Sequence, residues 1–189
     1  MTTDQAPTVD PRPAELKKKE SLVVLFTGNG KGKTSAAIGT AVRARGTGMS
    51  ACVIQFIKSG EWKSGEQGSC DLLSIDFKTL GEGFTWDSTN LDNDKATARA
   101  AWATAASAIE SGQYDLVVLD EITYLCSWGW LPVSEVVQSI QARPNHVNVV
   151  LTGRDAVPEL VAISDTASRI DSIHHAYDQG IAALRGIDF

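Results

Sequence analysis

Apolar residues fall along the chain in short unbroken runs, separated by stretches whose apolar positions recur at helical spacing. Leu22-Val23-Val24-Leu25-Phe26 is a continuous β-favouring run closed by Thr27-Gly28. A run apolar on both faces suits a parallel strand covered by helices on both sides. Similar runs lie at 51–57, 116–119 and 147–151, with weaker ones at 72–77 and 167–173. Helical segments fall between them. Residues 35–45 are Ala-rich, and 95–109 place Ala98, Trp102, Ala105 and Ile109 on one stripe, which makes Trp102 a core residue. Pro132 suits the first turn of a helix running to about Ala142, and Asp155 is the expected N-cap of another that carries Pro158 in its first turn. Strands alternating with helices predict βαβ units, hence an α/β fold with a mostly parallel central sheet and helices on both faces. In such a sheet the strand C-termini share one edge, and ligands bind outside it. Five segments should converge there: 28–34, 58–65, 81–90, Asp120-Glu121 and Gly153-Arg154.

Composition narrows the class. The 189 residues suffice for one domain, and 43% apolar with 21% charged residues is a globular balance. Residues 1–20 stand apart: Pro7, Pro11 and Pro13 sit among polar residues before Lys17-Lys18-Lys19-Glu20. That segment cannot bury a core. It is read as a flexible N-terminal segment, either solvated or ordered only against a ligand or partner subunit; residues 21–189 form the domain. The net charge of −6 opposes non-specific nucleic-acid binding, which rests on phosphate neutralisation, but leaves room for a nucleotide. Cys52, Cys70 and Cys126 lie far apart and are expected to be buried thiols. No apolar run reaches the length that spans a bilayer and no signal segment is visible, so a cytoplasmic protein without membrane contact is expected.

The chemistry concentrates in a glycine-rich loop. Thr27-Gly28-Asn29-Gly30-Lys31-Gly32-Lys33-Thr34 follows a predicted strand and opens a predicted helix, the setting a phosphate-binding loop requires. Its glycines let successive N–H groups turn toward an anion, and the helix N-terminus adds partial positive charge. Lys33 can reach phosphate oxygens, and the Thr34 hydroxyl can sit on Mg²⁺. The common pattern has a glycine five positions before the glycine of Gly-Lys-Thr, where this chain has Thr27. A hydrolytic pose does not follow from such a register. Asp120 ends a buried run and is the expected metal-side carboxylate, with Glu121 either a general base or a polar contact to the ligand. Arg154, just past a strand on the same edge, is a candidate phosphate contact. Gly81-Glu82-Gly83-Phe84-Thr85-Trp86 sets two large aromatics beside glycines on that edge, as an apolar platform for a flat ligand would need.

Taken together, these residues resemble the ATP:cob(I)alamin adenosyltransferases, the corrinoid adenosyltransferases built on a phosphate loop. The likeness runs from about Val23 to Phe189. It includes Gly28-Asn29-Gly30-Lys31-Gly32-Lys33-Thr34, Val53-Ile54-Gln55-Phe56-Ile57-Lys58 and Gly83-Phe84-Thr85-Trp86. It also includes Val117-Val118-Leu119-Asp120-Glu121, Leu151-Thr152-Gly153-Arg154 and Arg185-Gly186-Ile187-Asp188-Phe189. The resemblance implies a RecA-like P-loop fold, a homodimer and transfer of the 5′-deoxyadenosyl group of ATP to the Co(I) of cobalamin or another corrinoid. Tripolyphosphate would leave whole, and a flavin-type reductase would supply Co(I). By the same resemblance Gly28 to Thr34, with Ser35, hold the triphosphate, Thr34 with Asp120 holds Mg²⁺, and Arg43 and Glu121 contact the nucleotide. Phe84 and Trp86 match the pair beneath the corrin ring, and the segment before Leu22 matches one that closes over the active site. The chain departs from the family pattern Pro-Val-Lys-His at Ser172-Ile173-His174-His175, where His174 replaces the lysine. Adjacent strand residues point to opposite faces, so His174 and His175 do not read as a metal pair.

The nucleophile in this chemistry is the cofactor's cobalt, and the protein's tasks are positioning and charge neutralisation. Lys33, Thr34, Phe84, Trp86 and Glu121 are the residues expected to carry it. The alternative on the residues alone is a P-loop ATPase or kinase with Glu121 as base. A non-enzymatic nucleotide-binding module is a further rival.

Overall fold

The computed structural model describes residues 12–13, 15–59, 64–81 and 91–188. Six strands form the sheet: β1 Val23–Thr27, β2 Ala51–Ser59, β3 Asp76–Gly81, β4 Leu116–Asp120, β5 Asn148–Thr152 and β6 Thr166–Arg169. Their order is β3-β2-β4-β5-β1-β6, and every neighbouring pair is parallel. The helices are α1 Lys33–Gly46, α2 Gly65–Leu72, α3 Leu91–Glu110, α4 Ile122–Ser127, α5 Val133–Gln141 and α6 Pro158–Ile163. The expected α/β fold with a parallel central sheet and helices on both faces is what the chain adopts.

Alternation along the strands builds two cores. Leu25, Ile54, Phe56, Leu119 and Leu151 point to one face, where Ala98, Trp102, Ala105 and Ile109 of α3 pack with residues of α4, α5 and α6. Val53, Val118 and Val150 point to the other, against Ala37, Ile38 and Ala41 of α1 and Cys70 of α2. Trp102 is therefore in the core as its spacing predicts. The three cysteines are buried and unbridged, and burial pushes their thiols up to about 11, 11 and 12, which keeps them protonated.

Three sequence expectations need correction. The strand expected at 72–77 begins at Asp76 instead, because Ser64 caps α2 by accepting a hydrogen bond from Gln67 N and carries helix through Leu72. Leu72 is left 89% exposed at that helix end, while Cys70 and Ile75 take the core positions. Asp155 does not cap α6: its φ is +50°, the N-cap is Val157, and no side chain bonds the helix end. The expected final strand, 167–173, is shorter, spanning Thr166–Arg169.

At the strand N-termini, polar side chains stitch the starts of neighbouring strands together. Asp115 accepts from Ser50 N at 2.8 Å and from the Ser50 hydroxyl at 2.9 Å. Asn148 donates to the Asp115 carbonyl and accepts from Leu22 N, both at 2.9 Å. Asp165 accepts from Val23 N at 2.9 Å and pairs with Lys19. Arg143 donates to the carbonyls of Ile140 and Val147 at 2.7 and 2.8 Å.

Candidate active site

The parallel sheet brings the phosphate loop, Asp120-Glu121 and Gly153-Arg154 to one edge. Phe84 and Trp86 lie outside the described residues, as do the rest of 82–90 and residues 60–63. The loop leaves β1 at Thr27 and enters α1 through Gly32, which caps the helix with φ +115° and no side-chain hydrogen bond. A helix start without a side-chain cap leaves its first N–H groups available to an anion. Two glycines are required by crowding. A Cβ on Gly28, whose φ is +98°, would lie 2.5 Å from the Ile170 carbonyl oxygen, and one on Gly30 would lie 2.7 Å from the Asp171 oxygen. The chain after β6 thus presses on the loop, and Gly30 N donates to Ile170 O at 2.8 Å.

Lys33 reaches back to the carbonyl of Gly30 at 2.7 Å. Burial lowers its pKa, helped by the positive charge of Arg154, while Glu121 and Asp120 oppose the shift. Thr34 faces the opposite carboxylate: its hydroxyl donates to Asp120 Oδ1 at 2.9 Å. Asp120 is fully buried and also accepts from the Thr152 hydroxyl at 2.6 Å and from Gln55 Nε2 at 2.9 Å. Three donors fix the orientation of this buried carboxylate.

Glu121 is held differently. Its φ of +69° is left-handed, and its N–H donates to the Thr152 hydroxyl at 2.9 Å. A non-glycine residue in that conformation costs about 1–3 kcal/mol and tends to mark a functional site. Its Oε2 atom is buried without a hydrogen-bond partner among the described residues. Burial, then the neighbouring Asp120, pushes its carboxyl up to about 7, against the pull of Lys58, Lys33 and Arg154. Among the described residues, Glu121 Oε2 is therefore an acceptor without a donor, within electrostatic reach of three cations.

Behind it, Thr123 donates to the Arg154 carbonyl at 2.6 Å. Gly153, with φ +138°, lets this contact form, since a Cβ there would meet the Thr123 hydroxyl at 2.0 Å. Arg154 itself is exposed and within electrostatic reach of Lys33 and Glu121. Asn29, Lys31 and Ser35 are exposed around the loop. Arg43 is exposed in the last turn of α1, about 13 Å along the axis from Thr34 at 1.5 Å per residue. His174 is exposed, and the His175 ring nitrogen accepts from Tyr177 N at 3.1 Å in a short 3-10 turn.

Several site residues were not singled out by the sequence reading. Gln55 and Thr152 fix Asp120, and Lys58 offsets the charge of Glu121. A lone glutamine inside the apolar run 51–57 was the available signal. Tyr124, Trp128 and Trp130 form an aromatic stack with ring centroids 5.1 and 5.0 Å apart, on α4 and the turn after it. Its signal was the Tyr124/Trp128 pair at one-turn spacing.

Residues 19–189 match the family model described as ATP:corrinoid adenosyltransferase BtuR/CobO/CobP. The chain is 40% identical over 181 residues to the corrinoid adenosyltransferase of Escherichia coli K12, covering 96% of this chain and 92% of that protein. The corrinoid adenosyltransferase CobA of Salmonella typhimurium gives the same identity and coverage. That of Pseudomonas aeruginosa is 38% identical over 183 residues, covering 96% and 90%.

Proposed function

The chain belongs to the ATP:corrinoid adenosyltransferase family, and on that premise we propose how its own residues perform the transfer of the adenosyl group of ATP to a corrinoid. The observation that carries the assignment is the helix start at Gly32, free of any side-chain cap, with Lys33 beside it and Asp120-Glu121 opposite. The triphosphate lies in Gly28 to Thr34 and along Ser35, with Arg154 at its rim. The 5′ carbon faces the corrinoid. The Co(I) lone pair forms the Co–C bond, the C5′–O bond breaks, and its electrons leave with tripolyphosphate. Lys33 and the loop amides meet that charge where it develops, the arrangement in which preorganised donors act most strongly.

Magnesium fits the donors present. Thr34 and Asp120 offer oxygen ligands within hydrogen-bond distance of each other, the donor type this ion selects. Bound there, it would neutralise charge on the leaving triphosphate. Glu121, half protonated near neutral pH, offers the nucleotide either a donor or an acceptor. The chemistry is at the 5′ carbon, so there is no water for Glu121 to activate, and the ATPase alternative loses its need for a base. The assignment of Arg43 to the nucleotide rests on the resemblance alone.

Phe84 and Trp86 complete the proposal as the apolar wall beneath the corrin ring. Such a wall removes the lower axial ligand, and Co(II) without that ligand is reduced more readily. A homodimer, a flavin-type reductase as electron donor and a cytoplasmic setting complete the reading; no helix among the described residues is long and apolar enough to cross a membrane.

The test supplies Mg²⁺-ATP and chemically reduced cobalamin, then measures the adenosylcobalamin spectrum and tripolyphosphate. Release of ADP with phosphate, or AMP with pyrophosphate, without a corrinoid product would overturn the reading. The variant Phe84→Ala, Trp86→Ala should be slow when a reduced flavin must convert Co(II) to Co(I) on the protein. It should recover when Co(I) is supplied. Equal impairment in both assays would remove the pair from the reduction step.

A further inference from the structure

After β6 the chain crosses the phosphate loop and continues to the C-terminus in loops and one short turn. Ile170 N donates to Thr27 O and Gly30 N donates to Ile170 O, both at 2.8 Å, so the crossing point is fixed. Beyond it the attachment thins. Among the described residues, the hydrogen bonds of 172–188 stay within that segment: His175 with Tyr177 and Asp178, Ala176 with Ile181, Tyr177 with Gly180, Leu184 with Ile187 and Asp188. Ile173, Tyr177, Ile181, Leu184 and Ile187 are all exposed. The polar tie from this stretch to the rest of the molecule is an ion pair, Lys31 Nζ to Asp188 Oδ1 at 2.6 Å. Asp188 is itself held in place, its Oδ2 accepting from Leu184 N at 2.7 Å.

Lys31 sits at the apex of the phosphate loop, between Gly30 and Gly32. The side chains of the pair are 46% and 25% exposed, so water reaches both partners. A solvated pair of this kind contributes little stability. A triphosphate entering the loop brings several negative charges to the same lysine and repels the carboxylate beside it. One carboxylate cannot hold Lys31 against that.

We infer that Asp188 is a positioning residue that clasps the C-terminal segment to the phosphate loop through Lys31, and that a bound triphosphate takes Lys31 over and releases the segment. This rests on the reading of Gly28 to Thr34 as the triphosphate site. It goes beyond that reading in coupling the site to residues 172–188. The released stretch carries the exposed apolar side chains, so nucleotide binding would change which surface they present.

The experiment uses the full chain with sodium tripolyphosphate as probe, reading affinity by calorimetry and backbone amide exchange by mass spectrometry. In the wild type, saturating tripolyphosphate should accelerate exchange across 172–188 while leaving β4 unchanged. Asp188→Asn should exchange about two- to fivefold faster there without ligand and bind tripolyphosphate about two- to fivefold more tightly, differences that shrink as salt is raised. Asp188→Glu should restore slow exchange. Slower exchange of 172–188 on binding, or equal or weaker binding by Asp188→Asn, would overturn the inference while leaving the triphosphate site intact. No binding of tripolyphosphate to the wild type would remove the site and the inference together.

Discussion

At the strand N-termini Asp115 meets two donors from Ser50, and Asn148 and Asp165 bond the strand starts beside them. At the strand C-termini Glu121 is in a left-handed conformation with an oxygen that no described residue satisfies, and Lys33 is forced down in pKa by burial. The same sheet thus has one edge whose polar groups are spent on holding strands in register and another where Asp120 is fully held and Glu121 beside it is left short of a partner. Unsatisfied groups, strained backbone and perturbed acids gather where a ligand will complete them. Stability and chemistry are therefore separable by edge.

Substitutions should break in opposite ways at the two edges. The largest effect is expected for Lys33→Ala, which removes a preorganised charge from the leaving triphosphate and should lower turnover about 10²–10³-fold. Because burial disfavours the charged Lys33 in the folded protein, its thermal midpoint should hardly fall. Near-native turnover would show that this loop is not the triphosphate site.

Glu121→Gln comes next and concerns stability. The folded carboxyl keeps its proton up to about pH 7, while its ordinary value is 4.5. Between those values the folded state binds more protons, so this group's contribution to stability falls as pH rises through the window. Above it the ionised carboxylate is a net cost. Glu121→Gln should therefore be more stable than wild type by on the order of 2 kcal/mol at about pH 8 and equal to it at about pH 4. Urea midpoints at the two pH values read the difference. A variant less stable at about pH 8 would mean that ionised Glu121 is well partnered after all.

The smallest effect sharpens the comparison from the other edge. Asp115→Ala loses the bonds to Ser50 and should cost about 1 kcal/mol in urea unfolding with kcat and KM unchanged. A catalytic loss there would show that the two edges are coupled through the strands.

How far the sequence foretold this molecule depends on whether a signal was local. The strands β2, β4 and β5 are buried on both faces and β1 on one face and partly on the other, and their apolar runs announce them. The phosphate loop is legible because glycines, lysine and threonine lie together in eight positions. Asp120 could be placed because it ends a buried run. Gln55 and Thr152 could not be assigned a task, since each serves a carboxylate 65 or 32 positions away. The region 65–81 misled for a local reason: Leu72 and Leu73 look like strand, but the Ser64 cap continues the helix through Leu72 and leaves both side chains exposed. Asp155 misled because an aspartate before a proline turn imitates an N-cap, whereas here its backbone is left-handed. The tie between Lys31 and Asp188 joins nearly opposite ends of the chain, and no pattern in either segment points to the other.

The strand order also sets a timetable for synthesis. β1 emerges early from the ribosome, yet its sheet partners are β5 and β6, and Val23 bonds a residue 142 positions further on. At roughly 5–20 residues per second, that partner follows about 7–28 s later. Pairings this distant in sequence also slow folding, because a long loop must close before they form. Meanwhile β2, β3 and β4 can pair among themselves, while the apolar first strand waits with both of its edges unmatched. The loop that Gly28 and Gly30 shape against residues 170 and 171 is thus among the first parts of the protein to be made and among the last to acquire its form.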